Sequence, residues 1–182
     1  QNVAIGAAAM HGNLSNVAIT GCVAIGHEAL EGTLTTGANY SIAIGKEALK
    51  AHTSGASNTA IGYKAMTENT TGYSNTVIGY EAMDQSGANL AMENVFIGIN
   101  SGGGDWGGQA NYNVGVGSHT FLGVMNGAQF NTAVGQSSLR NITSGDDNVG
   151  VGYLAGTAVT TGSNNICIGK SAGAAMDTQS GT

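Results

Sequence analysis

The stretch "NTAIGYKAMTENTTGYSNTVIGYEAM", residues 58–83, runs through nearly the same pattern twice, seventeen residues apart. A period this short constrains the fold more than any single motif, because a unit of that size can bury its apolar face only against copies of itself. With the glycine of "AIG" as anchor, the pattern recurs at Gly6, Gly26, Gly45, Gly62, Gly79, Gly98, Gly117, Gly135, Gly152 and Gly169, at intervals of 17 to 20 residues. The array takes in residues 1–182 from end to end, which predicts one elongated, repeat-built domain without an internal boundary.

Aligned on that glycine, the columns differ sharply in chemistry. Four positions earlier stands Asn in eight copies (Asn2, Asn58, Asn75, Asn94, Asn113, Asn131, Asn148, Asn165), with Cys22 and Ser41 in the other two. The next column is always β-branched, the one after it is mostly small, and Ile or Val always precedes the glycine, as at Ile61 and Ile78. β-branched side chains two apart share one face of a strand, and the small residue takes the other. Both faces are then apolar, so one of them has to find a partner outside its own coil. The anchor glycine suits a turn with φ > 0 or a backbone approached too closely for a Cβ. The Asn column suits a bond to the backbone at the strand start or a ladder of stacked amides.

Three residues after the anchor a small residue recurs, followed in most copies by Met, Leu or Phe and in the rest by Gly102, Gly156 or Gly173. The large residue is expected to fill the coil interior. Further glycines in "TTG" or "TSG", at Gly37, Gly55, Gly72, Gly145 and Gly162, would turn the chain back. This predicts coils of two short strands and two turns. Runs such as "KEALKAH" and "YEAM" are too short between glycine turns to hold as helices.

Composition agrees with stacked strands and turns. With 31 Gly, no Pro, 9% charged and 5% aromatic residues, the chain is poor material for a conventional globular core. Its 41% hydrophobic residues at regular positions are equally unlike a disordered segment. A net charge of −6 with scattered Lys and Arg leaves no basic stripe, so nucleic acid is not an expected partner. No apolar run reaches the roughly 18 residues that suggest a membrane span, and no leader pattern is present, so no membrane insertion is expected of this segment. Cys22 and Cys167 lie eight coils apart, about 40 Å at a strand spacing of about 4.8 Å, too far for a disulfide and consistent with small core fillers.

The Asn-β-Ala-Ile-Gly columns followed by Ala-Leu resemble the head repeats of YadA-like trimeric autotransporter adhesins. They resemble more closely the longer "NTAIGY.A…NTTG" arrays of bacterial surface proteins and bacteriophage tail fibres. The resemblance implies an all-β fold, a left-handed parallel β-roll (β-solenoid) of about ten short coils, with three chains side by side around a common axis. The coils here are longer than those often met in the family heads, and "NVAITG" at 16–21 is a half-copy with a displaced glycine.

Signals for chemistry are sparse. His11, His27, His52 and His119 fall in different columns, with no Cys or carboxylate at ligand spacing. Asp105 in "GGGDWGG" and Asp146 and Asp147 in "GDD" match neither a nonapeptide calcium repeat nor an EF-hand, and read as turn residues. No phosphate-cradling loop and no Ser, His and Asp set stands out, so the chain reads as a non-enzyme without catalytic residues, metal or cofactor. N-x-S/T matches at Asn13, Asn39, Asn69 and Asn141 arise freely in an Asn- and Thr-rich chain.

Surface positions say more. The two residues after each anchor vary and are expected to be exposed. Tyr63 and Tyr80 follow His27 and Lys46 in one such column, either as a platform for sugar rings or, the reading favoured by chemistry alone, as shields for strand edges. The widest irregularity, between Gly79 and Gly117, carries the only tryptophan, so Asp105, Trp106 and Tyr112 are the first candidates for receptor contact. Asn58, Ile61, Gly62, Asn75, Ile78 and Gly79 exemplify the structural repeat.

These observations predict a structural and adhesive segment of a homotrimeric fibre. It would be extracellular, on a virion tail fibre or a bacterial cell surface, and would contact a host-surface glycan or receptor. A bacterial outer-surface trimeric adhesin is the alternative within this class. Readings from other classes are an ice-binding solenoid, which needs an exposed flat Thr-x-Thr face, and a fibre-borne polysaccharide depolymerase, which needs clustered carboxylates in a groove.

Overall fold

The structure is a computed structural model that describes residues 1–12, 18–35, 37–176, 178 and 180–181. Ten three-residue strands run in chain order: β1 (Val3–Ile5), β2 (Val23–Ile25), β3 (Ile42–Ile44), β4 (Thr59–Ile61), β5 (Thr76–Ile78), β6 (Val95–Ile97), β7 (Val114–Val116), β8 (Thr132–Val134), β9 (Val149–Val151) and β10 (Ile166–Ile168). Each pairs in parallel with the next, giving one ten-stranded sheet in sequence order and a β-solenoid of about nine turns. The register is the one the glycine alignment predicts, with Thr59 opposite Thr76, Ala60 opposite Val77 and Ile61 opposite Ile78. No helix forms among the described residues. The Asn13 sequon and the first two residues of the half-copy at 16–21 lie outside them.

The expectation of two strands per coil is corrected: each coil has one. The reason is local. Positive φ among non-glycine residues is confined to three columns: the second and fourth residues after the anchor (Glu28 at 58° and Leu30 at 53° in the second coil) and the residue before the Asn position (Tyr40 at 59°). A strand alternates its side chains, yet Ala29 and Leu30 are adjacent and both fully buried. Only a backbone that switches hand can aim two consecutive side chains inward. This turn still stacks in register, since Glu28 N–H donates to Ala7 O at 2.9 Å and Leu30 N–H to Ala48 O at 2.9 Å.

The anchor glycines do both jobs allowed by the sequence. Gly79 has φ of 151°, and a Cβ there would stand 2.6 Å from the carbonyl carbon of Gly98 in the next coil, and closer still to its oxygen. Conformation and clearance together exclude any side chain.

Inside, the small strand-centre column (Ala24, Ala43, Ala60, Val77, Phe96) and the large turn column (Leu30, Leu49, Met66, Met83, Phe121, Leu139) are fully buried. Deviations from the repeat balance one another in volume. Phe96 takes a position usually held by Ala, and two glycines clear space for it: a Cβ at Gly102 would meet its ring at 2.9 Å, and one at Gly115 at 2.8 Å. Leu139 is likewise accommodated by Gly150 and Gly156, where a Cβ would lie 2.9 and 2.6 Å from its side chain. Close packing at crystal-like density leaves no slack for such swaps to occur singly.

The Asn column is a continuous internal ladder. Asn75 N–H and Nδ2–H both donate to Asn58 Oδ1 at 3.1 Å, and the same double bond recurs through Asn94, Asn113, Asn131, Asn148 and Asn165. Each Nδ2 from Asn94 to Asn148 also donates to a backbone carbonyl at the turn, such as Ala128 O from Asn113 at 2.9 Å. Of the two ladder alternatives in the sequence, the structure therefore uses both. The ladder is weaker at Ser41, whose Oγ accepts from Asn58 N–H at 3.4 Å.

Candidate functional site

Because the small residue of each strand points inward, both β-branched columns point out. The sheet therefore presents a flat ribbon of Val, Ile and Thr. In β2 to β5 the residue preceding the anchor is half-buried, whereas in β6 to β10 it is exposed, from 36% at Val151 to 68% at Ile168. The residue after the anchor is His27, Lys46, Tyr63 and Tyr80 in the half-buried coils and Ile99, Ser118 and Gln136 in the next three, but Tyr153 and Lys170 follow the exposed Val151 and Ile168, so bulk at this position does not by itself set the cover.

Two aromatic pairs sit beside this ribbon. Tyr63 and Tyr80 stack at 5.1 Å with 28° between their planes, as the one-column placement implies. The Lys46 and Lys64 ammonium groups lie 5.8 and 5.5 Å from the centroid of the Tyr63 ring. Tyr63 is thus half-buried and crowded by Tyr80 and the lysines, whereas Tyr80 is 50% exposed. On the opposite border, Tyr112 and Phe130 stack at 4.9 Å with planes 1° apart, and Tyr112 Oη–H points to Met92 Sδ at 3.7 Å. Phe130 was not singled out by sequence reasoning. Its signal is its place in Tyr112's column one coil later.

Trp106 requires a correction. It is 3% exposed, edge-on to Phe96 at 5.9 Å, and its Nε1–H donates to Gly102 O at 3.0 Å. It is a core residue that fills the widened sixth coil, and the structure gives it no surface to offer a receptor. Its neighbour Asp105 is exposed, as is Tyr112 on a different column, so the three predicted contacts are not brought together.

A band of alternating charge runs beside the tyrosines. Lys50 Nζ donates to Glu28 Oε2 at 2.6 Å and lies 3.9 Å from Glu31, while Lys46 and Lys64 approach Glu47 at 3.2 and 4.0 Å. The Lys50 hydrogen bond holds the Glu28 carboxyl below its ordinary range and in turn raises Lys50. The charge of Glu81 raises the Tyr80 phenol, and burial raises Asp84, helped by Glu81. A shallow cleft of about 400 Å³ between His11, Glu31, Lys50, Thr67 and Glu68 lies in the same region. Glu28, Glu31 and Glu47 are engaged by lysines rather than paired across a groove.

Among the described residues no group of three or more His, Cys, Asp or Glu is arranged to hold a metal ion. Asp146 is used as a turn residue, with Oδ1 accepting from Gln129 N–H at 2.8 Å. Cys22 and Cys167 are free and buried. Asn69 is buried, and Asn39 accepts from Thr20 N–H at 2.8 Å, while Asn141 is exposed. No helix is long and apolar enough to cross a membrane among the described residues.

Compared with protein-family models, curated proteins and solved structures, the chain matches none.

Proposed function

We propose that this chain is a segment of a trimeric, extracellular fibre, in which the solenoid serves as a rigid shaft and holds a host-recognition surface away from a virion or cell. One observation carries the reading: an isolated solenoid leaves a continuous rank of Val and Ile exposed along β6 to β10. Contiguous exposed apolar surface marks an association site. Three copies around a common axis, each a left-handed roll as the resemblance implies, would cover that rank. A phage tail fibre fits the long "NTTG" form of the repeat better than a bacterial surface adhesin does. The reading assigns the chain no catalysis and no cofactor. The ice-binding alternative loses ground because the outward ribbon mixes Thr59, Thr76 and Thr132 among Val and Ile.

Mass photometry tests the assembly. The expected particle has three times the 18.0 kDa chain mass, and Val116→Asp with Val134→Asp should shift it to the monomer while circular dichroism stays β-rich. A wild-type monomer would sink the trimer. For attachment, the exposed Tyr80 and Phe130 are the side chains best placed to meet a sugar ring. Tyr80→Ala or Phe130→Ala should weaken binding to a responsive surface polysaccharide about tenfold, a step of about 1.4 kcal/mol. Unchanged binding in both would remove the aromatic borders from the recognition surface.

A further inference from the structure

One inward column of the solenoid breaks its own rule. At the corner opposite the strands the core residues are Leu34, His52, Asn69, Ser86, Trp106, Met125, Ile142 and Val159, all buried. Their equivalence is set by backbone bonds between the residues that follow them: Thr35 N–H donates to Thr53 O at 2.7 Å, Thr53 N–H to Thr70 O at 2.9 Å and Thr70 N–H to Gly87 O at 3.2 Å. The apolar column is thus interrupted by three consecutive polar side chains. Asn69 accepts from Gly72 N–H at 3.0 Å and donates to Ser86 Oγ at 3.3 Å. His52 occupies the matching place in "HTSG", where Asn69 heads "NTTG".

His52 is fully buried, with Nε2 2.8 Å from Gly55 O. A carbonyl can only accept, so Nε2 carries the proton and the neutral ring turns a bare lone pair inward at Nδ1. That Nδ1 is buried without a hydrogen-bond partner. The charged groups around this corner are Lys50 on the same coil and Glu31 and Glu68 on its neighbours, all lining the outer cleft. None of them bears on the ring. The groups that do are the Gly55 carbonyl and Asn69, and burial outweighs both, holding the imidazole below its ordinary 6.5.

We propose that His52 is an acid-sensitive joint in the solenoid: its protonation opens the corner of the third to fifth coils while the strand side stays paired. A proton on Nδ1 would place a charge among Leu34 and the Ala and Leu columns, with Asn69 as its one polar neighbour. Turning the Asn69 amide toward the new N–H would compete with its bonds to Gly72 and Ser86, and so pass the disturbance along the polar column. The folded imidazole is depressed, so the stability it confers is present above 6.5 and is lost as pH falls from there towards the folded value. The assignment is independent of whether the chain is a fibre.

The test is amide exchange between pH 7 and 5, corrected for intrinsic rates, at Thr53, Thr70 and Gly72, whose N–H groups are hydrogen-bonded at this corner. In the native chain the opening constant of these amides should rise by up to about tenfold per pH unit below 6.5, the slope of a single linked proton, and strand amides such as Gly62 should not follow. His52→Asn, which copies the Asn69 solution, should be flat over that range. An equal rise in His52→Asn, or no rise in the native chain, overturns the proposal. Should the variant not fold, ring-nitrogen NMR of the native chain decides: the expected state at pH 7 is neutral with the proton on Nε2, and an imidazolium or an Nδ1–H ring there overturns it equally.

Discussion

Gly79→Ala should destabilise the solenoid by about 4 kcal/mol or more and lower its thermal midpoint by about 10 °C, read by circular dichroism. Two costs combine. At a φ of 151° an L side chain is strained by about 1–3 kcal/mol on its own. The added methyl would also press on the Gly98 carbonyl, which cannot withdraw without breaking the Gly98 N–H bond to Ile78 O, 2.8 Å long. Because each coil touches only its neighbours, the break should uncouple the two halves and broaden or split the transition. Gly87→Ala is the control. A Cβ at Gly87 has nothing within 4 Å and the φ is 59°, so only about 1 kcal/mol should be lost. Equal losses at Gly79 and Gly87 would mean that coil spacing, the basis of this fold, does not depend on the anchors.

Asn113→Ala should cost about 3–5 kcal/mol, seen as a lower urea midpoint with little change in slope. Its Oδ1 accepts from Asn131 N–H and Nδ2–H, both at 3.1 Å, and its Nδ2 donates to Ala128 O at 2.9 Å. Alanine leaves a buried N–H and a buried C=O unpaired, each worth about 1–3 kcal/mol, and parts the ladder in the middle. Asn113→Ser keeps one acceptor, as Ser41 does in the third coil, and should lose about half as much. A loss below about 1 kcal/mol for Asn113→Ala would show that water replaces the amide and that the ladder is incidental.

The positions that repeat were legible because a parallel solenoid places every column on one line. The ten glycines set all nine strand pairings, and the Asn column offered a ladder as one of two roles, which the run from Asn58 to Asn165 forms. The second half of the coil was misread as a strand, although its signal was present: two adjacent columns, Ala then Leu or Met, cannot both face inward from an extended backbone. Trp106 was misplaced for a different reason. A glycine-flanked aromatic in an insert looks like a surface loop until Phe96, Gly102 and Gly115 are seen to have remodelled the cavity beside it.

Period, register and the recurring columns of Asn and of Val and Ile were determined by the sequence alone, since each depends only on which residues recur at a fixed spacing. The tertiary structure decided what the irregular residues do: Trp106 inside, Phe130 stacked on Tyr112, His52 sealed with one nitrogen unpaired. Such residues have no counterpart one coil away to define them. Their environment comes from the neighbouring coils' particular side chains, and that is a matter of volume and contact that spacing does not encode.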